Sequence, residues 1–550
     1  MFRWNDHKHT YDLPGNSTLF PGPSCGGSPC ALRTGADRNP AGVFPVRGTL
    51  YIPYPPWLSS SMGAEVNSRE FSREQRTRYR QRLLENLDRF ARFLGTAEFA
   101  DSACIGLELE LNLINKDGSP AMRNDAVLDR IADPAFQTEI GAFNIEMNHP
   151  ALSIAGDGLQ RLEDSLRRQL NRAEEQASDL ETGILMVGIL PTLRPEILTT
   201  DEWLSSGHRY AALNTSVLQA RGEDVLLNLT GSETLSFYAA SIAPEAACTS
   251  VQLHLELRPE EFAPAWNAAQ VIAAPQVALA ANSPVFLERL LWQETRIELF
   301  KQAIDTRPPE MRNQGVRPRV WFGERWITSI FDLFEENVRY FPALLPELSD
   351  NSGVHTEAGA PLLPELRLHN GTVYRWNRPI YDPGGRVPNL RLENRVLPAG
   401  PTVLDVVANA AFFYGLMQVM RTSERPVWTR MAFKTATENF LACARRGLAA
   451  SVYWPGIGEI PVAELIIRHL LPEAERGLRE LGVDDGLVDR YLGVLRDRAC
   501  TERNGATWQS DTVLALEAEG MGRPDALAQM TRRYRELMHS NDPVHLWPTA

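Results

Sequence analysis

One eight-residue stretch, Gly106–Leu113, constrains the fold of this chain more than any other, and it reads GLELELNL. Leucine alternates strictly with a polar residue, a period of two that is typical of a β-strand with one apolar and one polar face. Glu108, Glu110 and Asn112 share the polar face, where the two carboxylates lie ~7 Å apart. Taken alone, the stretch fits an amphipathic strand whose polar face is exposed to solvent. The spacing of the two carboxylates also suits two neighbouring cations, each of which would be bound by further ligands as well.

The charge and length of the chain narrow the class of protein. Its 550 residues are 43% hydrophobic, which predicts a substantial core and two or more structural units. Lys and Arg number 56 against 69 Asp and Glu, so the net charge is −13. Nucleic acid and anionic membranes are therefore excluded as general partners, while small anions can still bind where arginines cluster.

Cysteine usage and targeting signals indicate a cytoplasmic protein. The six cysteines are too few and too dispersed for a disulfide framework. Cys25 and Cys30 are close together, but no second Cys/His pair at zinc-finger spacing accompanies them. The N-terminus has no basic-then-apolar signal pattern. The longest apolar run, Val403–Met420, contains Asp405 and Asn409, which predicts a buried helix rather than a membrane span.

Hydrophobic periodicity divides the chain into three predicted regions. Residues 1–65 are rich in Pro, Gly and Ser and predict an irregular N-terminal arm, residues 66–425 mix strands with helices, and residues 426–550 are helical. The predicted helices cover 68–93, 159–180, 293–303 and 330–340, and the predicted strands cover 105–114, 139–148, 184–190, 249–258 and 389–395. Because the strands do not alternate regularly with helices, we expect an α+β fold with an antiparallel sheet.

Three later strands repeat the polar-face pattern of the first. They present Glu146, preceded by Glu139, then His254, and then Arg391, Glu393 and Arg395. If these strands share one sheet, several carboxylates meet on one face and repel one another. Divalent cations relieve such repulsion, and oxygen ligands with one imidazole are compatible with Mg²⁺ or Mn²⁺.

This pattern also indicates a chemistry. Hard cations held by a few carboxylates are how proteins usually present ATP for phosphoryl transfer. Arg391 and Arg395 flank Glu393 on the same face, where they can neutralise a transferring phosphate.

These residues resemble the glutamine synthetase and glutamate–cysteine ligase superfamily, and in particular the glutamate–cysteine ligase branch called type 2. The resemblance covers residues 100–420 and rests on the order of Glu-x-Glu, Glu-x₆-Glu, a strand histidine and Arg-x-Glu-x-Arg. The supporting signatures are Ile105–Glu110, His208–Tyr210, Val251–His254, Ala281–Pro284 and Arg391–Arg395. Neither the first 65 residues nor the stretch after 425 contributes to the resemblance.

The resemblance implies a fold, a reaction and a set of roles. The family fold is a curved antiparallel sheet backed by helices, with the active site on its concave face. In the family's reaction, ATP phosphorylates the γ-carboxylate of glutamate, and an amine, cysteine in this family, displaces the phosphate to give γ-glutamylcysteine for glutathione biosynthesis. Glu110, Glu139 and Glu146 would hold the metal on the amino-acid side, Glu108, His254 and Glu393 would hold the metal that bridges the ATP phosphates, and Arg391 and Arg395 would contact the γ-phosphate.

Four further polar residues are predicted to bind ATP or substrate: Arg209, Asn282, Arg375 and Arg378. Arg375 and Arg378 lie in a segment unusually rich in polar and aromatic residues, 370–378. Arginine side chains also cap helices and cover apolar surface, so a structural role is the competing interpretation, as it is for Arg296.

Two other functions remain open from the sequence. One is an ATP-dependent carboxylate–amine ligase whose acid or amine differs from glutamate or cysteine, because no residue identifies the nucleophile. The other is a non-catalytic metal- or nucleotide-binding protein that has kept the fold. The apparently complete set of ligands favours an enzyme with small-molecule partners.

Overall fold

A computed structural model of the chain describes Val66, Ser68 and residues 70–100, 104–351, 353–384 and 387–549. The predicted N-terminal arm, with Cys25 and Cys30, lies outside the described residues.

Seven strands form one curved antiparallel sheet, which confirms the predicted fold class. In chain order they are β1 Ile105–Ile114, β2 Phe136–Thr138, β3 Asn144–Leu152, β4 Gly183–Leu185, β5 Ser250–Leu257, β6 Asn377–Asp382 and β7 Asn389–Pro398. Their spatial order is β6-β7-β5-β1-β3-β2, and β4 pairs with the end of β1. The sequence-distant strands β5 and β7 therefore lie beside each other, and β5 separates β7 from β1.

Helices surround this sheet and make up most of the remaining structure. Before the last strand they are α1 Arg73–Leu94, α2 Asn124–Ile131, α3 Gly158–Ser178, α4 Pro195–Thr199, α5 His208–Arg221, α6 Ala243–Ala246, α7 Pro259–Ala280, α8 Thr295–Ala303, α9 Pro309–Asn313, α10 Ile330–Tyr340 and α11 Pro364–Asn370. After it come α12 Val403–Arg421, α13 Phe433–Arg446, α14 Val462–Leu465, α15 Leu471–Glu480, α16 Asp485–Thr501, α17 Gly505–Ala518 and α18 Arg523–Ser540.

Several short elements complete the described structure. Two-stranded pairs join Val225–Thr230 to Thr234–Ala239, Val285–Phe286 to Arg289–Leu290, Val320–Trp321 to Tyr374–Arg375, and Ser451–Trp454 to Gly458–Pro461. Single turns of 3₁₀-helix cover Val427–Arg430, Gly447–Ala449 and Val544–Leu546, and a π-helical turn covers Ile466–Leu470. The hairpin at 451–461 interrupts the C-terminal region that the sequence predicts to be mostly helical.

Two predicted strands differ from the observed ones. The strand predicted from 139 begins only at Asn144, because residues 139–143 form a tight turn in which a Cβ on Gly141 would come within 2.2 Å of Asn144 Oδ1. The strand predicted over 184–190 ends at Leu185. Beyond that point the Val187 carbonyl accepts a hydrogen bond from the side chain of Asn112 instead of from another strand.

Strand β1 lies at the centre of the sheet and is buried on both faces. Its four leucines are at most 2% exposed, as their period predicts, but Glu110 is also only 7% exposed. Glu110 is therefore not part of a solvent-exposed polar face, the alternative that the stretch taken alone allows, because Ser250 and Gln252 of β5 hydrogen-bond its carboxylate. Buried carboxylates need compensating partners, which makes this face a candidate site.

Helix α12 packs behind the sheet. Its Tyr414 hydroxyl donates hydrogen bonds to the backbone oxygens of Gly106 and His254, 3.1 and 3.0 Å away. By length and composition α12 is the one helix of the described residues that could cross a membrane, with a mean hydropathy of 1.5. Since 94% of its apolar window is buried inside the protein, it has the character of a core helix.

The C-terminal helices share the core of the sheet region. Arg498 of α16, fully buried, donates to Asp405 of α12 at 2.6 Å and to Asn409 at 2.8 Å. Tyr534 of α18 donates to the Met186 carbonyl beside β4. Tyr54–Ala550 forms one compact unit, so the boundary predicted at 425 marks the end of the sheet but not the end of the core.

Candidate active site

Three carboxylates from separate segments meet on the polar face of the sheet. Glu110 of β1 is the direct cross-strand partner of Glu146 of β3, and Glu139 follows β2. One carboxylate oxygen from each lies within 4.8 Å of the others. The structure thus brings together three residues that the sequence predicts as ligands of one metal.

Burial and mutual repulsion act on this acidic triad. Burial raises the pKa of Glu139 to about 7, and the charge of Glu110 adds to the rise. Burial also raises the pKa of Glu146 well above its usual range, with Glu108 and Glu139 contributing. The pKa of Glu110 is raised by burial too, although Arg395 opposes the rise. Such crowding is what a bound divalent cation would relieve.

Hydrogen bonds fix the carboxylate of Glu110 from one side. Its Oε2 accepts from the Ser250 amide at 2.7 Å, and its Oε1 accepts from the Ser250 hydroxyl at 3.0 Å and from Gln252 Nε2 at 2.8 Å. Glu146 accepts from Asn148 Nδ2 at 2.9 Å. These donors orient the two carboxylates, and Oε2 of Glu110 and the oxygens of Glu146 keep lone pairs for a cation.

Glu108, His254 and Glu393 form a second group beside the triad. His254 of β5 pairs in register with Glu393 of β7 on one side and with Gly106 of β1 on the other. Its Nε2 lies 3.1 Å from Glu108 Oε1, yet neither ring nitrogen makes a hydrogen bond within the described residues. The buried His254 ring and the half-buried Glu108 carboxylate are electron-pair donors that face each other without a hydrogen bond, an arrangement that fits a shared cation. Glu108 and His254 therefore fit the metal role that the sequence predicts.

Two arginines hold the carboxylate of Glu393. Arg378 of β6 bonds both oxygens over 2.8–3.3 Å, and Arg395 Nη1 lies 2.5 Å from Oε1. Burial alone would raise the pKa of Glu393, but the two guanidiniums outweigh it and lower the pKa to about 2. Glu393 is therefore a permanent anion in this site, and its role as a metal ligand stays a prediction.

Comparison with known proteins now decides the family. A family model described as glutamate–cysteine ligase family 2 matches residues 104–528. The chain belongs to glutamate–cysteine ligase family 2. It is therefore an ATP-dependent carboxylate–amine ligase, and the match extends through the C-terminal helices that the sequence resemblance had left out.

Solved structures resemble this family member at low sequence identity. Glutamate–cysteine ligase from Francisella tularensis in complex with AMP has a TM-score of 0.49 and 13% identity, over 81% of this chain and 90% of that one. A bifunctional glutathione synthetase from Pasteurella multocida has a TM-score of 0.47 and 13% identity, over 83% and 55%. The complex of the prokaryotic ubiquitin-like protein Pup with its ligase PafA has a TM-score of 0.36 and 10% identity, over 78% and 71%. None of the curated proteins matches the chain. The assignment rests on the family model.

The structure separates the two arginines that flank Glu393 in this glutamate–cysteine ligase family member. Arg395 faces Glu393, whereas Arg391 Nη1 bonds Asp382 at 3.2 Å and Asn389 at 2.8 Å. Of the predicted pair, Arg395 is the arginine seen to bond Glu393 and to act on Glu110. The assignment of Arg391 to the γ-phosphate stays a prediction.

The four other predicted contacts in this ligase have different surroundings. Arg378 binds Glu393, and Arg209 lies in the first turn of α5, where its charge acts on the Tyr374 phenol. Arg375, 2% exposed, bonds Glu336 and Asn337, and its assignment to substrate stays a prediction.

Asn282 also bonds other residues of the chain, and its assignment to ATP or substrate stays a prediction. Its amide nitrogen donates to the Ala399 carbonyl and the Tyr534 hydroxyl, and its amide oxygen accepts from Gln509. Asn282 therefore joins the helix α7 end to the C-terminal helices of this ligase, and both of its N–H groups are used in doing so.

Sequence reasoning missed three residues of this site. Ser250 and Gln252 lie two residues apart on the face of β5 that carries His254, so the period of the strand could have indicated both. Glu245, on the short helix α6, interacts electrostatically with Glu139 and Glu110. Burial raises the pKa of Glu245 to about 8, and its Oε2 has no hydrogen-bond partner among the described residues. No periodic pattern in the segment around Glu245 could have indicated it.

Proposed function

We propose that this ligase uses ATP to phosphorylate the γ-carboxylate of glutamate and joins the activated acyl group to the amine of cysteine, giving γ-glutamylcysteine. The meeting of the triad Glu110, Glu139 and Glu146 with Arg395 carries this proposal, because it sets acidic ligands beside a guanidinium on one buried face. The family description supports glutamate and cysteine as the substrates.

The residues present fit two divalent cations, Mg²⁺ or Mn²⁺. Glu110, Glu139 and Glu146 would hold one, and Glu108, His254 and Glu393 would hold the other. When bound, such cations offset the charge of phosphate oxygens and of the substrate carboxylate.

The chemistry follows from the weakness of a carboxylate as an acyl donor. Transfer of the γ-phosphoryl group to a carboxylate oxygen forms an acyl phosphate and releases ADP. The amine then attacks the carbonyl carbon, the bond to the phosphate oxygen breaks, and the amine loses a proton. Arg395 supplies a fixed positive charge toward the transferring group, and Glu393, with Gln252, fixes its orientation.

Arg395→Lys should lower kcat about 10–100-fold and change the KM for ATP much less, because lysine keeps the charge but loses the planar fork. Steady-state ADP release at saturating glutamate and Mg²⁺ measures both constants. A rise in KM alone would assign Arg395 to ground-state ATP binding instead.

Trapping with hydroxylamine tests the reaction. This small nucleophile should intercept the acyl phosphate whatever the shape of the amine site, so we expect γ-glutamyl hydroxamate in proportion to ADP. It should form only with ATP and Mg²⁺ or Mn²⁺. If another carboxylate gives hydroxamate and glutamate does not, glutamate is not the acid substrate. If ATP binds but no carboxylate gives hydroxamate, the proposed ligase reaction is refuted.

The amine requires a separate measurement. With glutamate fixed, ADP release should be fastest with cysteine in a panel that includes alanine, 2-aminobutyrate, serine and ammonia. Faster turnover with any other amine would leave the activation of glutamate standing and reassign the nucleophile.

A further inference from the structure

One buried amide connects the acidic triad to the phosphate-facing arginine. Gln252 of β5 is 2% exposed and stands directly opposite Glu108 of β1. Its Nε2 donates to Glu110 Oε1 at 2.8 Å, and its Oε1 accepts from Arg395 Nη1. Both ends of the amide are thus occupied by charged groups of the active site.

We propose that Gln252 is a positioning residue that keeps Arg395 bound close to Glu110 but out of an ion pair with it. The inference rests on the proposed function for the role of Arg395 toward phosphate. Gln252 touches neither the phosphate nor the carboxylate that reacts, and acts through Glu110 and Arg395.

The physical reason is the attraction between the two charged groups. Glu110 and Arg395 already influence each other's ionisation, since Arg395 opposes the rise in the pKa of Glu110. In a buried site a direct guanidinium–carboxylate pair is strong and frequently bidentate. Such a pair would take lone pairs of Glu110 away from a cation and would turn the guanidinium away from a phosphoryl group.

An amide is suited to prevent that pairing. Glutamine donates through its nitrogen and accepts through its oxygen, so it can satisfy a carboxylate and a guanidinium at once while remaining neutral. The opposite charges fix its orientation, with nitrogen toward Glu110 and oxygen toward Arg395. A carboxylate at this position could not donate to Glu110, and an apolar residue could do neither.

The same amide extends a continuous chain of bonds across the sheet. Glu110 is joined through Gln252 to Arg395, then to Glu393, and then to Arg378. The chain runs from the triad to the second acidic group. A change at Gln252 should therefore affect metal binding at one end and phosphoryl transfer at the other.

Two substitutions and one control separate positioning from simple structural support. Gln252→Met keeps the length and removes both bonds, whereas Gln252→Glu keeps the shape, loses the donor and adds a negative charge. Gln276→Met is the matched control, because Gln276 is a buried glutamine that exchanges two hydrogen bonds with Asn394. Circular dichroism and thermal melts first establish that each variant is folded.

Activity is the first readout. Both Gln252 variants should lower kcat for hydroxamate formation at least about tenfold, with the KM for ATP changed less than about threefold, while Gln276→Met keeps kcat within about threefold. Loss of stability with kcat unchanged in Gln252→Met would overturn the inference and leave the proposed function standing.

Metal binding is the second readout and does not need turnover. Free Mn²⁺, measured by electron paramagnetic resonance, should show weaker binding in Gln252→Met by about 3–10-fold, because Glu110 becomes free to pair with Arg395. Gln252→Glu should bind Mn²⁺ no more weakly than the native chain, since it adds a negative charge. If Gln276→Met weakens Mn²⁺ binding equally, or if Gln252→Met does not weaken it, then Gln252 does not position Glu110 for the cation.

A double-mutant cycle with Arg395→Lys completes the test. If Gln252 acts through Arg395, adding Gln252→Met to Arg395→Lys should lower kcat by less than about threefold. If the fold-losses in kcat of the two single variants multiply in the double variant, the two residues act independently and the inference is overturned. If the native chain forms no hydroxamate with any carboxylate, the proposed function fails, and the Mn²⁺ measurements alone decide whether Gln252 holds Glu110.

Discussion

Glu146→Gln should reduce turnover by about 10²-fold or more at saturating Mg²⁺ while leaving the fold intact, because even residues that only support metal ligands typically contribute 10–100-fold. Glutamine keeps the volume of the side chain and can still accept the hydrogen bond from Asn148. It removes one charge from a crowded site, in which burial and the charges of Glu108, Glu139 and Glu110 raise the pKa of Glu146. Stability should therefore be unchanged or slightly increased.

Hydroxamate formation, Mn²⁺ binding and a thermal melt together measure this effect. Glu163→Gln provides a matched control. Glu163 is a buried carboxylate of α3, and it accepts hydrogen bonds from Arg490 and Tyr491 of α16, which are not part of the triad. That control should lose stability and keep its Mn²⁺ affinity. A folded Glu146→Gln protein with near-native turnover would remove the triad from the proposed mechanism.

Leu109→Asp should prevent the chain from folding. Leu109 is next to Glu110 in sequence, but its side chain lies on the opposite, apolar face of β1. Leu109 is fully buried, and its cross-strand partners are Met147 on β3 and Val251 on β5. A carboxylate there has no partner of opposite charge, and an uncompensated buried charge costs about 3–5 kcal/mol. That is a large part of the ~5–15 kcal/mol by which proteins of ordinary stability are folded.

Soluble yield, near-ultraviolet circular dichroism and urea unfolding measure the loss. Leu109→Met is the control, since a swap of similar volume in a core usually costs less than about 1.5 kcal/mol. A cooperatively folded Leu109→Asp protein with native stability would show that this face of β1 is not the core face. The opposite outcomes expected at Leu109 and at the acidic residues follow from the alternation of side chains along a strand.

Several features of the fold were predictable from local pattern. The leucine period placed the core face of β1 correctly, and the helical period placed α3, α8 and α10 within a few residues of their observed bounds. Element ends were less predictable, because caps and turns set them. Helix α1 begins at Arg73, where Ser72 and Gln75 form a capping box, and β3 begins after the turn at Gly141.

Within the site, the residue types and their order were predictable, but many of their partners were not. The acidic and basic residues on alternating strands indicated a face for divalent cations and phosphate, and the family match agrees with the ligase class. Arg375 is predicted to bind a ligand because its segment is polar and aromatic, and Asn282 because it lies in a signature of the resemblance, Ala281–Pro284. The structure uses them to satisfy buried groups on Glu336, Asn337 and the C-terminal helices.

The sequence by itself therefore determined which side chains share a face of each strand, because the strand period is a local property of the backbone. Tertiary structure alone decided that β5 lies between β1 and β7, since each of these pairings joins residues more than 100 positions apart. It also decided that both faces of β1 are buried, that Arg395 rather than Arg391 faces Glu393, and that Gln252 lies between Glu110 and Arg395. These outcomes depend on strand order and register, which long-range packing selects and a local pattern does not encode.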